Sequence, residues 1–259
     1  MPARLPPRSR TLPLLALVGP ALLVAVWWAV AAAGVFPPSL FPRPTDVARA
    51  LWHELLNGRL LTDTVASLYR VCAGFYLAVL TGVPLGLVIG GSTVTRRALL
   101  PTINFFRSLS PLAWIPFAVL WFGIGDPPAI FLIFMAAFFP IALSTSAAVA
   151  NIPSVYFRVA RDLGLQGWDL FRQVTLPAVA PQVITALRIT AGLSWLVVVA
   201  AEMLAGTDGL GFAVWDARNG LRVDLLGAAM VTIGVLGVLI DRVLVRLTHL
   251  PSVRWGYER

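Results

Sequence analysis

VCAGFYLAVLTGVPLGLVIGGSTVT, residues 71–95, carries no charged side chain. A helix needs about 20 predominantly apolar residues to cross the hydrocarbon core of a bilayer, and this stretch is long enough. Small residues recur through it at every fourth position: Gly74, Ala78, Gly82, Gly86 and Gly90. That spacing puts all five on one helix face. In lipid, such a stripe lets a second helix approach closely and gain dispersion contact. Gly74, Gly82, Gly86 and Gly90 are therefore the expected helix-packing seam.

Working outward, five more blocks have the same character. Residues 12–36, 108–125 and 127–157 are uncharged; residues 183–205 carry only Arg188 and Glu202 near their ends; and residues 225–240 continue past Asp241 and Arg242 to about residue 247. The expected fold is all-α and polytopic, with six transmembrane helices. The third is the shortest, because Pro111, Pro116 and Gly125-Asp126-Pro127-Pro128 interrupt it. The chain divides into a tail (1–11), a first span (12–36), an outer amphipathic segment (37–61), a core of spans two to six (62–247) and a second tail (248–259). The first block follows several arginines, as a signal peptide would, but its 25 uncharged residues exceed the 7–15 of a secretory h-region.

Composition agrees. The 259 residues are 58% hydrophobic and 12% charged, with a mean hydropathy of +0.83, whereas soluble domains carry about 25% charged residues. A single soluble globule is excluded. The net charge is +8, and all 20 basic residues are arginine. Without lysine the chain cannot form a Walker phosphate loop or a Schiff base. The arginines are spread between apolar blocks, which speaks for topology and against nucleic acid. Cys72 is the one cysteine, and His53 and His249 lie at opposite ends, so neither a disulfide framework nor a metal site is expected. No catalytic constellation is visible.

Arginine placement gives the direction. With the N-terminus in the cytoplasm, 13 arginines fall in inner segments and 5 in outer ones, and Arg70 and Arg188 lie at span ends. Excess arginine marks the cytoplasmic side, so both termini are expected inside.

Few polar groups enter the spans. Intramembrane carboxylates are functional candidates by default. Glu202, about a turn from the outer end of its span, can instead be neutralised by Arg70 or Arg218 in a structural ion pair. Arg188 can snorkel to the headgroups or line an anion path. Ser144, with Thr145 and Ser146, either bonds back to its own helix or lines a path.

Residues 151–181, on the inner side, are too structured for a plain loop. Pro153 can open a helix, and Val155, Val159 and Leu163 follow at four-residue spacing. Gly164 supplies a break or a left-handed cap. A second helical stretch, 166–176, is expected to stop at Pro177. The resulting L-shaped body presents an apolar ridge that suits either a protein partner or the headgroup layer.

Gly164, nine residues, then Val174-Thr175-Leu176-Pro177 resembles the cytoplasmic loop of ABC importer permeases, which reads Glu-Ala-Ala, three residues, Gly, nine residues, Ile-x-Leu-Pro. The family's opening falls on Arg158-Val159-Ala160, so only the last alanine is kept and one charge is reversed. Phe41-Pro42-Arg43-Pro44, Ser67-Leu68-Tyr69-Arg70, Trp121-Phe122-Gly123-Ile124-Gly125, Ala200-Ala201-Glu202-Met203-Leu204 and Gly209-Leu210-Gly211-Phe212 resemble the aliphatic sulfonate, taurine and nitrate branch, over roughly residues 38–247.

The resemblance implies the type I importer permease fold and a non-enzymatic translocation subunit of the plasma (inner) membrane. It implies a pair of permeases, most simply a homodimer, with two ATPase subunits that use ATP and magnesium and an external solute-binding protein. This chain itself would bind no cofactor. Arg158, Val159, Ala160, Asp162, Leu163, Gly164, Val174, Leu176 and Pro177 would form the ATPase-coupling loop, with Asp162 as the acidic contact. The expected cargo is a small anion of the sulfonate, taurine or nitrate type. Alternatives are bicarbonate or a thiamine-precursor-like solute, or, from other classes, a membrane-embedded enzyme or a scaffold.

Overall fold

A computed structural model describes residues 12–248. Every regular element among them is helical. In chain order these are α1 (Leu12–Ala32), α2 (Pro44–Leu56), α3 (Arg59–Gly91), α4 (Thr93–Ser108), a 3-10 turn (Pro111–Trp114) running into α5 (Ile115–Phe122), and α6 (Asp126–Ala150). Then come α7 (Ser154–Asp162), α8 (Gly167–Leu170), a π turn (Phe171–Thr175), α9 (Leu176–Ala205), α10 (Leu210–Asn219) and α11 (Val223–Thr248).

Among the described residues, four helices are long and apolar enough to cross a membrane: Arg59–Gly91, Asp126–Ala150, Gly167–Ala205 and Val223–Arg246. The expected third span differs from a straight helix. Thr93–Ser108 and Pro111–Phe122 together pass the same test, but they meet at 83°. Extended backbone at Leu109 and Ser110, just ahead of Pro111, makes the corner, as the restriction on residues preceding proline requires. The first block forms α1, 21 uncharged residues with Pro20 inside the helix.

The seam lies between α3 and α6. A Cβ on Gly74 would come within 2.8 Å of the Ile133 Cβ, and one on Gly86 or Gly90 within 2.5 Å of Thr145 or Val149. At Gly82 it would meet the Phe138 carbonyl at 3.1 Å. These four glycines set the interhelix distance. Ala78, Ala137 and Ile141 are buried in the same contact, and Leu132, Ile133, Val198, Ala201 and Leu210 extend the core toward α9 and α10. Large apolar side chains elsewhere face outward, among them Leu80, Val88, Leu196 and Val235. That is how a bundle solvated by lipid places them.

The second span starts earlier than the charge pattern implies. α3 is helical from Arg59, so Arg70 lies well inside it and not at its end. Pro177 also behaves differently from expectation. The chain does not stop there, and α9 begins at Leu176 and incorporates it. The π turn Phe171–Thr175 just ahead of it accommodates the ring within one helical run that starts at Gly167.

Candidate functional site: an elbow at one end, a charge cage at the other

α9 connects the two places where the chemistry gathers. From Leu176 to Glu202 it rises about 39 Å at 1.5 Å per residue, more than the roughly 30 Å of hydrocarbon. The elbow at its start and the cage near its end are therefore far enough apart to sit at opposite faces of a bilayer.

At the elbow, α7 follows Pro153, whose extended backbone makes it the residue ahead of the helix and not its first turn. α7 ends in a double closure. The Leu165 N–H donates to the Ala160 carbonyl at 2.9 Å, and the Gly164 N–H donates to Arg161 at 3.0 Å. This is the Schellman pattern, and Gly164 takes the left-handed backbone it demands, with φ of +74°. A Cβ at Gly164 would meet nothing within 4 Å, so backbone conformation, not crowding, selects the glycine.

Val155, Val159 and Leu163 form the expected ridge, with Leu163 72% exposed. Ala160, the retained alanine, is buried on the inner side of α7, while Arg158 and Asp162 are exposed. Between α7 and the π turn runs a groove of about 490 Å³, lined by Val155, Tyr156, Val159, Ala160, Leu163, Leu165, Gln173, Val174, Pro177 and Ala178. Of the nine loop residues expected to act together, Val159, Ala160, Leu163, Val174 and Pro177 line this groove. Gly164 shapes its corner, and Leu176 is exposed beside it.

At the far end, Arg70 and Glu202 are 1% and 0% exposed and paired at 2.8 Å. Of the two arginines weighed as partners for Glu202, the structure uses Arg70, whereas the Arg218 guanidinium lies 5.5 Å over the Trp215 ring. The pair sits within a larger cage. Arg70 Nε donates to Asp126 at 2.6 Å, Nη1 to the Asp208 carbonyl at 2.9 Å and Nη2 to the Asp208 carboxylate. The second Glu202 oxygen accepts from Ser67 Oγ at 2.8 Å and from the Gly211 N–H at 2.9 Å. Ser67 in turn accepts from the Leu210 N–H, and Asp63 accepts from the Gly209 N–H. A single guanidinium thus ties α3 to the start of α6, the end of α9 and the loop into α10.

Gly209 makes the cage possible. Its φ is +98°, and a Cβ there would stand 2.5 Å from Glu202 Oε1 and 2.7 Å from Arg70 Nη1. Sequence reasoning missed Asp63, Ser67, Asp126 and Asp208 as members. Ser67 and Arg70 at three-residue spacing gave a usable signal. Asp126, in the first turn of α6, and Asp208, in the loop before α10, gave none.

Arg188 does not snorkel alone. It holds Asp241 of α11 in a bidentate pair at 2.8 and 3.0 Å. It lies about 18 Å along α9 from Leu176 by helical rise. Asp216 of α10 accepts from Arg59 at 2.8 Å and from Arg222 at 2.9 Å. The Arg59 hydrogen bond, with Arg222 in support, holds the Asp216 carboxyl below its usual 3.8. Ser144 is half-buried, Thr145 and Ser146 are buried at the α3 seam, and Thr145 Oγ1 has no hydrogen-bond partner.

Comparison with known proteins places this arrangement. The chain is 36% identical over 226 residues to the taurine transport system permease protein TauC of Escherichia coli, covering 85% of this chain and 82% of that one. It is 39% identical over 208 residues to the nitrate import permease protein NrtB of Leptolyngbya laminosa, covering 77% and 75%. Its fold matches a chain of the MetNI methionine ABC transporter in an inward-facing conformation with a TM-score of 0.65, covering 73% of this chain and 95% of that one at 22% identity. Residues 82–250 match the model of the binding-protein-dependent transport system inner membrane component. With the all-helical bundle and that match together, the chain belongs to this family of ABC importer permeases.

Proposed function

We propose that this chain translocates a small inorganic or organic anion, of the taurine, sulfonate or nitrate type, and draws its energy from separate ATP-hydrolysing subunits docked at the elbow. The observation that carries the coupling reading is the apolar ridge and groove of α7, joined through the π turn to the start of a membrane-crossing helix. A partner seated there pushes on α9 directly. The lysine-free sequence, with no means of building a Walker loop, supports a division of labour in which ATP and magnesium belong to the partner.

Two copies of this chain enclose the pathway, an external binding protein delivers the anion, and both termini with the elbow face the cytoplasm. The two 36–39% identical relatives named for taurine and nitrate transport support the anion class. Arg70 and Glu202 act as the staple of the outer end and not as an anion site, because three carboxylates already surround the one guanidinium and would repel an anion. Closure of the ATPase pair moves the elbows, and the spans exchange one rigid packing for another.

The test is uptake into proteoliposomes holding the permease, its ATPase subunit and its binding protein, with labelled taurine, nitrate and bicarbonate as candidate cargo. ATP-dependent uptake of taurine or nitrate is expected. Gly164→Trp should abolish uptake and ATPase association while the spans still insert. Normal uptake by that variant would overturn the elbow assignment, and uptake of bicarbonate alone would overturn the cargo class.

A further inference from the structure

We propose that the π turn Phe171–Thr175, held open by Pro177, is the compliant joint through which movement of the elbow reaches α9. This rests on the elbow being the ATPase contact. Leu176 donates its N–H to the Phe171 carbonyl, five residues back instead of four. One residue further on, Pro177 has no N–H to give, and a proline ring crowds the carbonyl four positions before it, here that of Gln173. The ladder therefore cannot resume at α spacing across this point. Pro181 withholds a second donor one turn later, so the first turns of α9 carry fewer restraining bonds than a helix of ordinary sequence.

Three further observations place the joint in the path of force. Gln173, Val174, Pro177 and Ala178 form one wall of the groove whose other wall is α7, so an occupant bears on the ridge and on the joint together. On the elbow side, Trp168 stacks on Phe171 with centroids 5.2 Å apart, which ties α8 to the first residue of the turn. On the membrane side, Val179 and Val183 are buried with Ala148 of α6. The turn is thus the soft element between two anchored bodies. Single π turns inside α-helices are rare and concentrate at functional sites.

A joint and a structural kink make opposite demands on residue 177. Alanine restores the N–H and favours a continuous, stiff α-helix. Glycine restores the N–H as well, but it disfavours helix by about fivefold relative to alanine and keeps the backbone compliant. The experiment compares wild type, Pro177→Ala and Pro177→Gly as full transporters in proteoliposomes, reading ATPase co-purification, uptake and stimulation of ATP hydrolysis by the loaded binding protein. Because Pro177 itself lines the groove, uptake is expressed per ATPase subunit retained in each complex. Uptake should fall at least tenfold in Pro177→Ala and no more than about threefold in Pro177→Gly. Equal uptake in all three, or a lower rate in Pro177→Gly than in Pro177→Ala, would overturn the proposal.

Amide hydrogen exchange on the wild-type complex supplies a measurement independent of any variant. Exchange at residues 171–176 should differ at least tenfold between nucleotide-free and vanadate-trapped states, and identical exchange would also overturn the joint. Loss of the ATPase subunit from the wild-type complex would instead defeat the elbow assignment itself, so the two failures are distinguishable.

Discussion

Replacing Arg70 by methionine should unlatch the outer end of the bundle. The side chain is 1% exposed and holds Glu202, which is fully buried, along with Asp126 and Asp208. Methionine fills most of the volume but leaves Glu202 as a buried carboxylate supported only by Ser67 and the Gly211 N–H. Breaking a buried pair by removing one partner costs about 3–5 kcal/mol, whereas replacing both partners with apolar groups is often close to neutral. Arg70→Met should thus lower the folded-to-unfolded ratio by roughly two to three and a half orders of magnitude at about 1.4 kcal/mol per decade. The double variant Arg70→Met/Glu202→Leu should recover part of that loss, with a coupling energy of about 1–3 kcal/mol. Denaturant titration in detergent micelles, followed by tryptophan fluorescence, measures these two variants and the single Glu202→Leu. A single variant within about 1 kcal/mol of wild type, or a double variant that is merely the sum of the singles, would refute the claim that this guanidinium holds the four elements together.

Three other expectations follow from the same geometry. Gly86→Leu forces a side chain into the 2.5 Å approach to Thr145 and should cost at least the roughly 1–3 kcal/mol of an overpacked site, read as loss of a monodisperse peak in size-exclusion chromatography. Thr145→Val removes a buried hydroxyl that has no partner while keeping its shape, and should be neutral or stabilising by about 1 kcal/mol in the same denaturant titration, since an unpaired buried polar group is itself a cost. Asp216 binds its proton less readily folded than unfolded, because Arg59 and then Arg222 favour the carboxylate. Its contribution is therefore present above the usual 3.8 and lost as pH falls through the lower folded value. Limited proteolysis of α10 should be unchanged from pH 7 to 5 and accelerate below about pH 3.8, with Asp216→Asn removing that dependence at a cost of only about 0.2–1 kcal/mol, as for an exposed pair.

The glycine stripe was legible because its period, its residue size and the absence of charge all describe one helix face, and α6 packs on that face. The elbow was legible for a different reason: proline, a four-residue apolar spacing and glycine write a helix start, a ridge and a left-handed cap into consecutive residues. What escaped reading depended on contacts distant in sequence. Nothing local links Arg70 to Asp208, 138 positions away, or Arg188 to Asp241. Arg70 was placed at a span end because counting uncharged residues starts the span after the last charge, whereas a buried, fully paired charge lets α3 extend back to Arg59. The corner in the third span and the passage of α9 through Pro177 show the two outcomes open to proline. Ahead of Pro111 the chain turns, because residues 109 and 110 are extended. At Pro177 it continues, because the π turn ahead of it, Phe171–Thr175, accommodates the ring.

The proposed coupling requires Leu163 to meet an ATP-hydrolysing protein. A photoreactive amino acid placed at Leu163, irradiated in native membranes and followed by mass spectrometry of the adduct, reads that contact directly. A single dominant adduct with a subunit carrying a Walker lysine is expected. Adducts with lipid alone, or with a second copy of this chain alone, would contradict it.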